Sequence, residues 1–587
     1  MTTVGAVRTP RARLTAGIAY FSMEIAVSDS VPTYSGGLGV LAGDHLRASA
    51  DLGLPIVGVT LVYHDGFFRQ TLADDGRQEE HPVRWAPAEQ LERLDERVVI
   101  SLGGRQVAIG AWWTEIAGVD GYRVPVYFLD TRLPGNDLAD QSITDKLYTG
   151  DPTARLSQEA VLGFGGVAML GVLGHDIATY HLNEGHASLV PVALLARFLG
   201  TKTSNATPAD VNVVRADCVF TTHTPVPAGH DRFKRDDVGK VLGSNVTKAL
   251  DRLGCFERGE LNMTTLGMFF AGFINGVAKR HGEVSQAMFP RYRVRSVTNG
   301  VHVATWAAPS TRRLFDRHIP RWRQDNTLVR YMLSVPLEEI RSAHQEAKDQ
   351  LLDEVARRSG LKLKPDILTV GVARRAAAYK RNDLLLSDPE RLRRLVRDVG
   401  PLQVLYSGKA HPLDAMGKEV IARVADGARR LKNVVSILYL EDYDMALAAQ
   451  LCAGVDLWLN TPVAPHEASG TSGMKAAING VPSLSVLDGW WVEGHVEGVT
   501  GWAIGADRGG GAALVDGDPR IDALDAEAMY RVLHDVVGPL YYVDPDGFTA
   551  VRRGAMALNG SFFTTERMVS EYVAVAYSHD ASAARST

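Results

Sequence analysis

From residue 366 onward the chain repeats one unit: a short apolar strand, a polar turn, a helical pattern. The strands read Ile367–Ala373, Gln403–Tyr406, Val434–Leu440, Asp456–Asn460 and Pro482–Val486. Strands of this length, alternating with helices, pack as a parallel, Rossmann-like sheet. Such a sheet receives ligands just past the carboxyl ends of its strands. Two of those ends are chemically loaded. The first strand runs into Arg374-Arg-Ala-Ala-Ala-Tyr-Lys-Arg381, four cations in eight residues. A charge run is usually a solvated face. Directly after an apolar strand it is also where α/β folds bind phosphate, and anion binding is the favoured reading. Gly408-Lys-Ala-His411 ends the next strand in a similar way. The fourth strand leads to Glu467-Ala-Ser-Gly-Thr-Ser-Gly-Met-Lys475, a glycine-rich loop opening a helix. Backbone N–H groups and a helix dipole there suit an anion. A Walker loop is absent, and an ordinary loop with a surface lysine is the competing reading.

The chain has 587 residues, too many for one core, so at least two domains are expected. A formal charge of −5 gives no broad basic field, which argues against a nucleic-acid partner. Cys218, Cys255 and Cys452 are too scattered for a disulfide framework and suggest a reducing, cytoplasmic setting. Met1 to Gly17 lacks the apolar stretch of a secretory signal. The most apolar long run, Ala160 to Gly174, is too short and too broken by glycine to span a bilayer.

The first half repeats the β/α rhythm less cleanly. Residues 18–22 read as a buried strand, followed by Tyr34-Ser-Gly-Gly-Leu-Gly and a helical pattern. That turn lets backbone approach a ligand, or simply packs helix on strand. Pro55–Tyr63 reads as a strand, and residues 64–130 as short strands with turns. Asp176–Tyr180 is expected as a strand, with His181 opening a helix that ends near Leu199. Cys218–Thr222 is expected as another strand, ending in His223-Thr-Pro-Val-Pro227. His181, His186, His223 and His230 match no metal motif, so no metal is expected. Residues 260–345 read as mostly helical, with one strand-like run at Arg295–His302. Trp306–Asn326 reads as a charged linker, and Leu337–Arg358 as a helix. The predicted division is 1–330, 331–520, and 521–587 as helices packing back on the first domain. The only biased segment is a glycine patch at 509–511.

In combination these motifs identify a family. Tyr34-Ser-Gly-Gly-Leu-Gly, His181-Leu-Asn-Glu-Gly-His, Thr222-His-Thr-Pro-Val-Pro, Val297-Thr-Asn-Gly-Val-His, Ala373–Arg381 and Glu467–Lys475 resemble the α-glucan (glycogen or maltodextrin) phosphorylases in their short bacterial and archaeal form. The resemblance runs from about Ala19 to Gly505. It implies the GT-B glycosyltransferase architecture, with two Rossmann-like domains, the active site in the cleft between them, and pyridoxal 5′-phosphate as cofactor. Lys475 resembles the lysine that forms the Schiff base with it. Thr471, Ser472, Arg374, Tyr443, Gly36 and Gly37 resemble the cofactor and phosphate surroundings. Arg375 and Lys380 resemble ligands of the substrate phosphate. Glu467, Ser469 and Gly470 resemble groups that bind glucose hydroxyls, and Gly37 and Leu38 a substrate-facing turn. His223 resembles a histidine near the sugar. The family's cofactor relays a proton through its phosphate, so two dianions must be held close, and a cationic cradle is required. The implied reaction releases α-glucose 1-phosphate from glycogen or maltodextrin with inorganic phosphate and retains configuration. The implied partners are small molecules and glucan; a homo-oligomer is compatible with the sequence but not specified by it.

Three features depart from the family pattern. No regulatory N-terminal extension is recognisable, so allosteric control is not implied. Met268–Phe273 is apolar where relatives tend to carry a polar segment facing the site. His64-Asp65 stands where a basic residue is usual. An apolar wall would weaken a glucan site and keeps two alternatives open: a glycosyl- or pseudoglycosyltransferase acting on a small acceptor, and a non-catalytic sugar-phosphate- or glucan-binding protein, against which Lys475 argues.

Overall fold

The computed structural model describes residues 17–226, 229–505 and 520–577; Pro227 and the glycine patch at 509–511 lie outside them. Two parallel sheets dominate. The second contains Leu368–Ala373, Leu402–Ser407, Ser436–Leu440, Leu457–Asn460, Ser483–Val486 and Gly501–Ile504. Counted in chain order, these lie 3-2-1-4-5-6 across the sheet, all parallel. The strand order reverses between the first and the fourth, so their following loops part and leave a crevice at the carboxyl ends.

The first sheet follows the same plan. Its parallel strands are Ile18–Ser22, Ile56–Leu61, Arg123–Asp130, Thr179–Asn183, Cys218–Thr221, Phe273–Gly276 and Arg295–Ser296. Order again reverses between the first and the fourth, Ile18–Ser22 and Thr179–Asn183. Antiparallel strands, among them Arg105–Ala117 and Val98–Leu102, extend the far edge. Both sheets are doubly wound, with every residue of Ile56–Leu61 and Leu368–Ala373 buried, as strands covered on both faces require.

Several expectations shift. The strand read at Asp176–Tyr180 lies three residues later, at Thr179–Asn183. His181 is therefore a buried strand residue, and the helix begins only at Leu189. Of the run Arg295–His302, Arg295–Ser296 pairs in the sheet and Val301 makes a single bridge to Thr564. The sequence reading missed Phe273–Gly276, a four-residue strand hidden inside an apolar tract. Trp306–Asn326 is not a linker. It contains the helix Pro309–His318 and buries Trp306, Phe315 and Trp322 in one core. Fully burying each such side chain contributes about 1.5–3 kcal/mol, which no mobile linker would forgo.

Met268–Phe273 is no active-site wall. Met268, Phe270 and Phe273 are buried in hydrophobic cores, Met268 and Phe270 at the end of the helix Met263–Phe270. Its apolar character is that of packing. His64 is likewise structural: its ring pairs with Asp130 at 2.9 Å.

The C-terminal helices touch both sheets. Arg520–Val532 packs on the second, with Asp525 accepting from Arg381 at 2.7 Å. Farther along, Asn275 Nδ2 donates to the Tyr572 hydroxyl at 2.9 Å, and the Tyr577 hydroxyl meets His181 Nδ1 at 2.5 Å, both under the first sheet. Among the described residues no helix is long and apolar enough to cross a membrane.

Candidate active site

At the second crevice, the loops after Leu368–Ala373 and Leu457–Asn460 are tied together by Arg374. Its guanidinium donates to Asn382 Oδ1 (2.7 Å), Asn460 Oδ1 (2.8 Å), Lys380 O and Thr461 Oγ1 (both 2.9 Å). Burial pulls its pKa down to about 10. Arg381 is committed in the same way, to Thr461 O, Pro462 O and two aspartates. These two arginines build the loop. The other two cations face outward from it. Arg375 is reached by solvent although protein surrounds it; burial opposes its charge, but Tyr379 and Glu467 more than offset that and its pKa is raised. Lys380 stands over the Tyr379 ring at 4.9 Å and pairs with the Glu467 carboxylate. The predicted phosphate ligand and the predicted sugar ligand are thus each other's partners.

The Glu467–Lys475 loop has a real glycine requirement at Gly470, whose φ is +83°. Next to it, the buried Ser469 hydroxyl has no hydrogen-bond partner among the described residues. Ser472 Oγ accepts from the Trp458 indole at 3.1 Å, and Thr471 O accepts from the Lys475 N–H at 3.2 Å. Lys475 sits on the short helix Ser472–Ile478 with 7% exposure. Its ammonium lies 3.6 Å from the Trp306 ring centre and makes no ion pair or hydrogen bond among the described residues. Burial, only partly countered by Asp44, lowers its pKa. Desolvation favours the neutral, nucleophilic amine. Asp44 in turn accepts the Trp306 indole N–H at 2.6 Å, and Tyr443 packs into the same cluster as Trp306 and Met474.

The first crevice is of opposite character. Glu24, just past Ile18–Ser22, accepts from the Tyr148 hydroxyl (2.6 Å) and from the backbone N–H of Ser35 (2.5 Å) and Gly36 (3.3 Å). The carboxylate shapes the glycine turn from below. Above it there is room: a Cβ at Gly36 or Gly37 would meet nothing within 4 Å, and Leu38 follows in the first turn of the helix Gly37–Asp51. Internal packing therefore does not demand either glycine. Glu184, at φ +79°, accepts from Gly185 N–H, His223 N–H (2.6 Å) and the Thr224 hydroxyl. His223 Nε2 donates to Asn183 Oδ1 at 2.7 Å, and burial takes its pKa down to about 3, so the ring is neutral.

Links join the two groups. Met445 N–H donates to Asp29 at 3.2 Å, Gln70 Nε2 to Gly408 O at 2.8 Å, and Asn479 Nδ2, on the Lys475 side, to Trp306 O at 2.8 Å. His411 lies within the fields of Arg375, from the second sheet, and Arg155, from the first; burial and then Arg375 lower its pKa. Arg375 and Lys380 both act on Glu467, whose loop carries Ser469 and Gly470 and leads into the helix of Ser472 and Lys475, while Tyr443 packs into the cluster of Trp306 and Met474. No hydrogen bond or ion pair among the described residues joins His223 to that cationic group. The sequence reading missed Glu24, Glu184, Asp44 and Trp306. Glu24 had a signal, a lone acid just past an apolar strand. No three His, Cys, Asp or Glu side chains gather as a metal site among the described residues.

Comparison with known proteins places this geometry. The model of the carbohydrate phosphorylase family matches residues 31–157 and 243–498. This chain belongs to the carbohydrate phosphorylase family. It is 36% identical to the maltodextrin phosphorylase of Thermococcus litoralis, over 96% of this chain and 70% of that protein. It is 36% identical to the glycogen phosphorylase of Mycobacterium tuberculosis (98% and 72%) and 34% identical to that of Aquifex aeolicus (96% and 86%). The matched segments contain the glycine turn, Arg374–Arg381 and Glu467–Lys475; His223 and Glu184 fall between them, in a stretch covered by the relatives alone.

Proposed function

We propose that this phosphorylase cleaves α-1,4-linked glucan with inorganic phosphate, releasing α-glucose 1-phosphate with retained configuration, in a cleft between its two sheets. The observations that carry the reading are two solvent-reachable cations, Arg375 and Lys380, that both act on Glu467, and a buried, unpaired amine, Lys475, on the helix that the Glu467 loop opens. The residues suit pyridoxal phosphate: a desolvated amine to hold it, Trp306 and Tyr443 as apolar walls, and open backbone over Gly36 and Gly37. Bound there, the cofactor would supply a phosphate group able to exchange a proton with the substrate phosphate.

The protein's own part is electrostatic. Arg375 and Lys380 would hold the substrate phosphate dianion near a second anion, against their repulsion. Lys380 would exchange its bond to Glu467 for the incoming phosphate, which frees the Glu467 carboxylate to accept from sugar hydroxyls. The unpartnered Ser469 hydroxyl would be a second sugar contact. The neutral His223, held by Asn183 and Glu184, would offer its remaining ring nitrogen to the sugar. Positive charge developing on the sugar would face the phosphate, which retains configuration when it delivers the new bond from the departing face. The core position of Met268–Phe273 removes the reason to prefer a small acceptor.

The proposed division is 1–330 and 331–520, with the described residues 520–577 packing on both sheets. Three unpaired cysteines favour a cytoplasmic setting. The test supplies maltooligosaccharides with phosphate and, in reverse, glucose 1-phosphate or nucleotide sugars with large and small acceptors. Glucose 1-phosphate release is expected. Turnover with a nucleotide donor alone would overturn the reading.

A further inference from the structure

The turn after Ser483–Val486 carries a carboxylate that the reaction above leaves without a role. Asp488 is 3% exposed. Its oxygens are divided between two backbone donors: Oδ2 accepts from Glu467 N–H at 2.8 Å and Oδ1 from Gly489 N–H at 2.9 Å. Two residues on, Trp490 N–H donates to Ser469 O at 2.9 Å. Gly489, at φ +54°, lies so close that a Cβ there would stand 2.5 Å from Ser469 O. The turn 488–490 therefore grips the segment 467–469 at both ends, directly behind the Glu467 carboxylate and the unpartnered Ser469 hydroxyl.

We propose that Asp488 is a positioning residue for the sugar-phosphate site: by holding the Glu467 backbone it fixes where the Glu467 side chain stands between Lys380 and the bound sugar. The proposal rests on the reading that Glu467 faces the substrate.

An anion is needed for this grip. Two N–H donors converge on two oxygens, whereas an amide offers one oxygen and would turn its NH2 against the other donor. The charged groups facing Asp488 are Glu467 in the gripped loop, which repels it, and Arg280 on the helix Lys279–Met288, which attracts it; Lys380 lies beyond Glu467. No salt bridge neutralises Asp488 among the described residues. Burial first, then Glu467, push its carboxyl up to about 7. Protonation converts one accepting oxygen to a hydroxyl and loosens one end of the grip, so the site should change across neutral pH.

The experiment uses the cofactor-loaded, full-length protein and Asp488→Asn. Hydrogen exchange is followed in peptides covering 464–472, and binding of glucose 1-phosphate is titrated between pH 6 and 8. We expect exchange in that segment to be faster, and glucose 1-phosphate binding weaker, each on the order of tenfold, the size of one lost charge-assisted hydrogen bond. Cofactor absorbance should be unchanged. The pH dependence of wild-type binding across neutrality should flatten in the variant. Wild-type exchange in 464–472, or an unaltered pH dependence, overturns the proposal. If wild-type protein does not bind glucose 1-phosphate, the substrate reading fails while the exchange measurement still decides the role of Asp488. Should Asp488→Asn not fold, wild-type exchange at 464–472, corrected for intrinsic rate, must lose protection as pH falls from 8 to 6; constant protection overturns the proposal.

Discussion

The two strand-end crevices have the same topology and opposite chemistry. Each lies where strand order reverses between the first and fourth strands of a doubly wound sheet. At the first sheet the loops carry Glu24 and Glu184, both satisfied by backbone N–H groups, and a neutral His223. At the second they carry Arg375 and Lys380, both acting on Glu467, whose loop opens the helix of Lys475. The two crevices share a topology, and their loops give them different charge. On the reading proposed above, the cationic loop takes the phosphate and, through Glu467 and Ser469, part of the sugar, while the hydrogen-bonded acids hold a glycine turn for the cofactor and a histidine for the sugar.

The most severe way to break this division is at Lys475. Lys475→Ala should abolish phosphorolysis and leave the fold intact. Borohydride reduction followed by peptide mapping should find pyridoxal phosphate covalently attached at Lys475 in the wild type and nowhere in the variant. Unmodified Lys475 in saturated, folded wild-type protein would sink the cofactor assignment.

Next come the outward cations. Arg375→Ala should lower phosphorolysis by about 10²-fold or more, as for loss of a preorganised electrostatic donor. Arg374→Ala should instead lower stability, because that guanidinium ties four loop groups together. If both variants lost activity without losing stability, the separation of builders from binders would be wrong.

That separation marks the limit of what the sequence revealed. Five strands of the second sheet were legible because each is apolar, short and bounded by turn residues. The first sheet was harder. His181 and Asn183 are polar residues inside a buried strand, where Tyr577, Thr221 and Ser22 satisfy them, and this disguised Thr179–Asn183 as a turn. Phe273–Gly276 was masked by a helix of similar composition. At the site, Arg374 and Arg375 are identical in type and adjacent, yet one is buried and fully bonded while the other meets solvent. No periodicity distinguishes them; only the packing against Asn382 and Asn460 does.

A smaller effect is expected in the first crevice. Glu184→Gln keeps shape but leaves one acceptor where three donors converge, and cost is about 1–3 kcal/mol. The unfolding midpoint should fall, and the KM for glucan should rise more than the KM for phosphate, since the loop released is that of His223. An unchanged ratio of the two KM values would mean that the crevices do not divide the substrate.

A purely pH-dependent effect comes from two carboxylates within the second half, Asp456 and Asp488. Asp456 is buried among Lys348 (2.6 Å), Arg552 (2.7 Å) and His344 (3.0 Å), and despite the opposing cost of burial these hold its pKa well below the ordinary value. It contributes stability above the unfolded carboxyl pKa and loses it as pH falls through the native one. Asp488 has the reverse sign. Its native pKa is raised from 3.8 to about 7, so the folded protein holds a proton that the unfolded chain releases, and stability declines as pH rises between those values. At about 1.4 kcal/mol per pH unit, that linkage is worth at most about 4 kcal/mol. Removing it should therefore tilt the comparison with pH. The stability of Asp488→Asn relative to wild type should improve steadily from pH 4 to pH 7 and then level off. Urea unfolding of both proteins across that range measures the difference directly. A gap between them that stays constant with pH would mean that Asp488 is charged throughout, and the proton would have to be sought elsewhere in the site.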